Sequence, residues 1–138
     1  MILFIILYIL FSLVEGVRDG FFYHYKMSNV VQDKYNAHII FTAERVIVLV
    51  IMYVVTYLSF NSYLFSLLIL LAQFLMFSFF HNGAYYEMRH FLNKEIYAHG
   101  FFDSSKTSTS KIELNTLNRT ILFVLGLAIY IIACKYYC

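Results

Sequence analysis

Glu15, Arg18 and Asp19 stand at i, i+3 and i+4, so on a helix two carboxylates and a guanidinium share one side. His38, Thr42 and Arg45 follow at i, i+4 and i+7, a second helical stripe. Glu44 is one position from Arg45, which on a helix turns the two about 100° apart and prevents a good pair between them. Each is therefore expected to find its partner on another helix, Arg45 with Glu15 or Asp19, and Glu44 with Arg18 or a histidine. Two chemistries suit these residue types. Arg18, Arg45 and Arg89 carry the planar fork that holds a phosphate, with His38, Glu44 and His81 as the candidate catalytic bases beside them. Glu87 and His90 read as E-x-x-H, whose two side chains reach one ion in carboxylate-bridged di-metal bundles. The other Glu residues supply no second copy of that pattern, so a divalent metal at Glu87 and His90 has half its ligand set, and no cofactor is predicted. The structural alternative is that Glu15, Arg18, Asp19, Arg45 and Arg89 form an ion-pair network that fixes helix register.

The elements that must position these residues follow from composition. Of 138 residues, 62% are hydrophobic and 13% charged, with 15 Phe, 13 Tyr and no Pro or Trp. Soluble domains have roughly 45–50% apolar and about 25% charged residues, and a domain this small cannot hide such an excess. Disorder is excluded by the same figures, and two Cys exclude a disulfide scaffold. Three tracts carry no charge: Ile2–Val14, Val46–Phe80 and Thr120–Cys134. A helix needs about 20 residues to cross a bilayer core, and the middle tract as one helix would be about 52 Å long, too long even when tilted. It is expected to break at Ser59-Phe60-Asn61-Ser62, its most polar point. The first tract lacks the basic flank and small-residue cleavage site of a signal peptide and reads as a retained helix. The predicted fold is all-α, a polytopic membrane helical bundle with four transmembrane helices, or three as the alternative. The spans are placed near 1–20, 38–60, 62–82 and 119–137 of one integral membrane domain, with polar segments at 21–37 and 83–118.

Charge placement orients the bundle. Eight charges fall between Glu15 and Arg45, nine between Glu87 and Arg119, and only Lys135 lies elsewhere. Four spans put both blocks, and all five His, on one side with nine of the ten Lys and Arg, a positive-inside pattern. The expectation is a cytoplasmic (plasma) membrane protein with both termini outside and helices 1 and 3 extending into the cytoplasm. Counting about 20 residues along each span leaves Glu15, Arg18, Asp19, Glu44, Arg45 and His81 at membrane depth near the inner interface. Ionisable groups there face a bundle interior and pair, or serve a ligand. Phe21, Phe22, Tyr23 and Tyr25 are expected in an interfacial aromatic belt. Asp103–Lys111 reads as an exposed Ser/Thr/Lys loop. Cys134 and Cys138 have no second pair to complete a metal site, and Asn118-Arg119-Thr120 matches a glycosylation pattern on the side where none is expected.

H-E-x-x-H, G-x-S-x-G, C-x-x-C, the P-loop and G-x-G-x-x-G are absent. A net charge of +2 and the lack of a basic stripe exclude nucleic acid as a partner. In its length, four spans and first-span Glu15, the chain resembles the small multidrug resistance transporters. It departs from them in its long polar loop and one-sided charge. Three classes remain: a non-enzymatic membrane assembly or accessory protein with a polar His/Glu/Arg cluster at the cytoplasmic interface, a membrane enzyme or binding protein for a lipid headgroup or phosphate, and a small ion- or proton-coupled transporter. The expected partners are the lipid bilayer and either a second copy of the chain or a membrane or cytoplasmic protein.

Overall fold

The protein is described as a computed structural model, covering residues 2–26, 31–95, 98–104 and 114–137, without the side chains of residues 25–39. The described residues form four helices, α1 (Ile2–Lys26), α2 (Val31–Phe60), α3 (Tyr63–Leu92) and α4 (Thr116–Tyr137), with a single 3-10 turn at Gly100–Phe102. Three of them, α2 from Ile40, α3 and α4, are long and apolar enough to cross a membrane. The fold is an all-helical membrane bundle.

The long apolar tract breaks where its polar residues predict. Asn61 takes a positive φ of 50°, a conformation asparagine tolerates better than most residues. Ser62 then caps α3, its hydroxyl accepting from the Phe65 N–H at 3.3 Å, and Tyr57 and Tyr63 stack across the turn at 4.4 Å. At the other end the helices outlast the spans: α2 begins at Val31, ahead of 38, and α3 runs to Leu92, past 82, the extension expected of helix 3. Both extensions are polar stretches free of Gly and Pro apart from Gly83, so nothing in them forces a helix to stop where the hydrocarbon does.

α3 is the hub, with α1, α2, α4 and the 3-10 turn all packed against it. Lipid tails are as apolar as leucine, so burying apolar area does little to join helices in a bilayer, and close backbone approach at small residues does more. Both tight seams follow this rule. On α1, Gly16 and Gly20 face α3: a Cβ on Gly16 would come within 2.9 Å of Ala84 Cβ, and one on Gly20 within 2.8 Å of Met88 Cβ. On α4, Gly126 meets Ala72 and Met76. At the hairpin end, Phe65, Ile69 and Ala72 of α3 pack with Tyr130 and Ala133 of α4, with Ile5 of α1 laid against them.

α1 is built inside out. Its buried positions are Tyr8, Ser12, Glu15, Gly16, Asp19, Gly20 and Tyr23, every one polar, aromatic-hydroxyl or glycine, while Ile2, Leu3, Ile6, Leu7, Leu10, Val14 and Val17 are exposed. Tyr8, Ser12, Glu15, Asp19 and Tyr23 advance by four, three, four and four residues, a single helical stripe. Tyr23 thus packs inside, edge-on to Tyr85 at 6.3 Å, which corrects its placement in an interfacial belt. The belt expectation counted depth and ignored helix face. Tyr25 lies outside the described side chains.

Candidate functional site

The polar stripe of α1 meets α2 and α3 at the charged end of the bundle. Asp19 is 5% exposed and Glu15 5%, and both carboxylates are neutralised from α2 and their own helix. Arg45 donates through Nη2 to Asp19 Oδ2 at 2.5 Å, and its Nε lies 3.5 Å from Glu15 Oε2. Arg18 donates through Nη2 to Glu15 Oε2 at 2.7 Å and through Nη1 to Glu44 Oε2 at 2.6 Å. Arg45 and Glu44 therefore do find their partners on another helix, as their angular separation requires. Aromatic faces complete the cation environment: the Arg18 guanidinium lies 4.1 Å from the Phe41 ring centroid and that of Arg45 5.4 Å from Phe77.

His81 joins this group from α3. Its Nε2 is 2.9 Å from Arg45 Nη2 and 3.1 Å from Asp19 Oδ2, its Nδ1 is 2.9 Å from Asn82 Oδ1, and Phe77 stacks on the ring at 4.8 Å. Six ionisable side chains from three helices thus form one continuous cluster, graded from the buried Asp19 and Glu15 to a rim where the Arg18 and Glu44 side chains are 35% and 47% exposed. Within α2 the only fully buried described side chain is Thr56. The cluster is therefore a polar attachment of that helix to α1 and α3, beside its packing on α3.

Other candidates lie elsewhere. Arg89 sits two turns beyond His81 on α3 and stacks over Tyr85 at 5.8 Å. Glu87 is taken up by the backbone of the following loop, accepting from the Phe101 N–H at 2.8 Å. Gly100 has φ of 54°, a left-handed conformation suited to glycine, and a Cβ there would crowd the same carboxylate. Among the described residues no three His, Cys, Asp or Glu side chains are placed to hold a metal ion, so Glu87 and His90 gain no third ligand there. Glu87→Ala removes a charge-assisted bond from an exposed loop. It is expected to cost about 1 kcal/mol and to speed protease cleavage within residues 98–104 several-fold, with the helices intact by circular dichroism. The His38 side chain lies outside the described side chains, and the Asp103–Lys111 tract beyond Ser104 and Cys138 lie outside the described residues. Cys134 lies in α4, half-buried.

Sequence reasoning missed two contributors. Arg119, 1% exposed, belongs to a separate tie between α4 and the loop: its Nη2 donates to Asp103 O at 2.8 Å and to Thr116 Oγ1 at 3.1 Å, over the Tyr86 ring at 5.3 Å. No local pattern signals this. The second is the Gly16-x-x-x-Gly20 spacing, a legible close-packing signal that brings α1 near enough for Asp19 to reach His81.

Fold and site together define a helical membrane bundle with a cluster of charged side chains where α1, α2 and α3 meet. Comparison with known protein families, with curated proteins and with solved structures finds no match.

Proposed function

We propose that this chain is a small multi-pass membrane protein that acts by assembly, as a non-enzymatic accessory or assembly factor, with the charge cluster serving as its internal lock. The observation that carries this reading is that the cluster's charges are spent on one another. The Arg18 and Arg45 nitrogens that would grip a phosphate already hold Glu15, Glu44 and Asp19, which disfavours the lipid-headgroup enzyme. In this reading α1 is the fourth crossing: its charged face is turned to α2 and α3, and its exposed face is apolar, as lipid requires. The charged end faces the cytoplasm by the positive-inside rule, and the apolar outer faces of α2 and α4 are free for lipid or a partner helix.

The test separates accumulation from phenotype. Alanine at Glu15, Glu44 or Arg45 is expected to reduce the protein held in the membrane and lose the phenotype in proportion. Normal accumulation with a lost phenotype would replace this reading with a chemical site. An Asn61→Cys variant with Cys134 and Cys138 replaced by serine is expected to react with an impermeant thiol reagent added outside intact cells; labelling only after the cells are opened would reverse the orientation.

A further inference from the structure

The cluster holds three carboxylates (Glu15, Asp19 and Glu44) against two guanidiniums (Arg18 and Arg45), so with a neutral imidazole it is one positive charge short. At membrane depth an uncompensated charge is expensive, and the geometry at His81 offers a place to add the missing charge. His81 Nε2 faces a donor and an acceptor at once, Arg45 Nη2 at 2.9 Å and Asp19 Oδ2 at 3.1 Å. One nitrogen cannot satisfy both in the same protonation state. A bare Nε2 accepts from Arg45 and turns its lone pair toward Asp19. A protonated Nε2 donates to Asp19 and repels Arg45.

We propose that His81, Asp19 and Arg45 form a proton-binding site, in which His81 takes up one proton at Nε2 and Arg45 exchanges its imidazole partner for Glu15. The balance is simple: imidazole and one proton give imidazolium, whose new N–H bonds Asp19 Oδ2, and the cluster becomes neutral. The guanidinium, once released by His81, can turn toward Glu15, whose Oε2 already lies 3.5 Å from Arg45 Nε. Nδ1 keeps its bond to Asn82 Oδ1 in both states. Proton uptake thus adds Glu15 to Asp19 as a carboxylate of α1 that holds α2, and the site goes beyond a static lock.

The surroundings on each side suit this role. From α1 the site faces Asp19, with Glu15 behind Arg45 and Tyr23 beside Asp19. From α2 it faces Arg45, with Glu44 reached through Arg18. On α3 itself, Phe77 covers the ring and Asn82 fixes it. The α4 and loop charges, Arg119 and Asp103, engage Tyr86, Thr116 and loop backbone, away from the cluster. Protons enter at the half-exposed Arg18–Glu44 rim, because Ile5, Phe65, Ile69 and Ala72 close the opposite end with apolar side chains.

The deciding experiment is nitrogen-15 NMR of full-length, histidine-labelled protein in phospholipid vesicles, with His81→Gln assigning the signal. From about pH 8 to about pH 5, the interval in which imidazole changes charge, His81 is expected to pass from the Nδ1–H tautomer with bare Nε2 to the doubly protonated ring. Asp19→Asn is expected to lower its proton affinity about tenfold or more, and Arg45→Gln to raise it by a similar factor, since each removes one charge in direct contact. If either variant fails to fold, the wild-type titration still decides. A His81 spectrum unchanged across that range overturns the proposal, as do shifts of the same sign in the two variants. The readout is independent of any phenotype, so it stands or falls separately from the assembly role.

Discussion

Replacing Arg45 with methionine is expected to remove most of the folded protein from the membrane. The side chain keeps much of its volume but leaves Asp19 and Glu15 buried with their shared cation gone. Breaking a buried pair on one side costs about 3–5 kcal/mol, far more than the pair contributes over an apolar replacement. That is a large part of the whole stability of a small domain. The asymmetry supplies the control. Adding Asp19→Asn to Arg45→Met removes the stranded charge and is expected to restore part of the loss, whereas Asp19→Asn alone strands Arg45 less severely because Glu15 remains. Exchanging the charges, Asp19→Arg with Arg45→Asp, tests the pair in the opposite sense. Thermal unfolding in detergent and the membrane-retained fraction both report the outcome. Equal losses in the single and double variants would mean that the contact is not energetically coupled.

Gly16→Val is the second large effect. The backbone carbonyl of His81 and the Ala84 side chain occupy the space a side chain would need, so α1 must move away from α3. Overpacking commonly costs about 1–3 kcal/mol, and a β-branched residue against backbone falls at or above the upper end. The diagnostic consequence is remote: once α1 is displaced, Asp19 loses His81, and the His81 nitrogen-15 signal should change although no ionisable group was altered. Gly16→Ala is expected to show the same changes in milder form. A Gly16→Val protein that melts like wild type would show that the α1–α3 seam is not packed as described.

Periodicity, length and charge placement made the bundle legible. The break at Asn61–Ser62 followed from a span too long for a bilayer, and the partners of Arg45 and Glu44 from an angle of about 100° per residue. Tyr23 was misjudged because depth was read without face, although the stripe from Tyr8 through Ser12, Glu15 and Asp19 shows which face is inside. Arg119 was not legible at all. The Thr116 hydroxyl stands three residues before it on α4, but its other acceptor, the Asp103 carbonyl, is placed by the path of a loop that no helical spacing encodes. The partner of Glu87 was not legible for a related reason: the helical E-x-x-H spacing shows only what lies on its own face, and a backbone N–H from fourteen residues further along meets the carboxylate.

The hub position of α3 also bears on how the chain is made. α1 and α2 leave the ribosome before the helix on which both will rest, and the charges they carry make each a poor candidate for entering lipid alone. Glu15 and Asp19 on the first helix are matched by Arg45 on the second, and Arg18 by Glu44. The two can therefore partition from the translocon as one hairpin whose charges are largely paired. α3 would then enter as the third arrival and complete a contact already begun, which makes the first two helices a single unit of biogenesis.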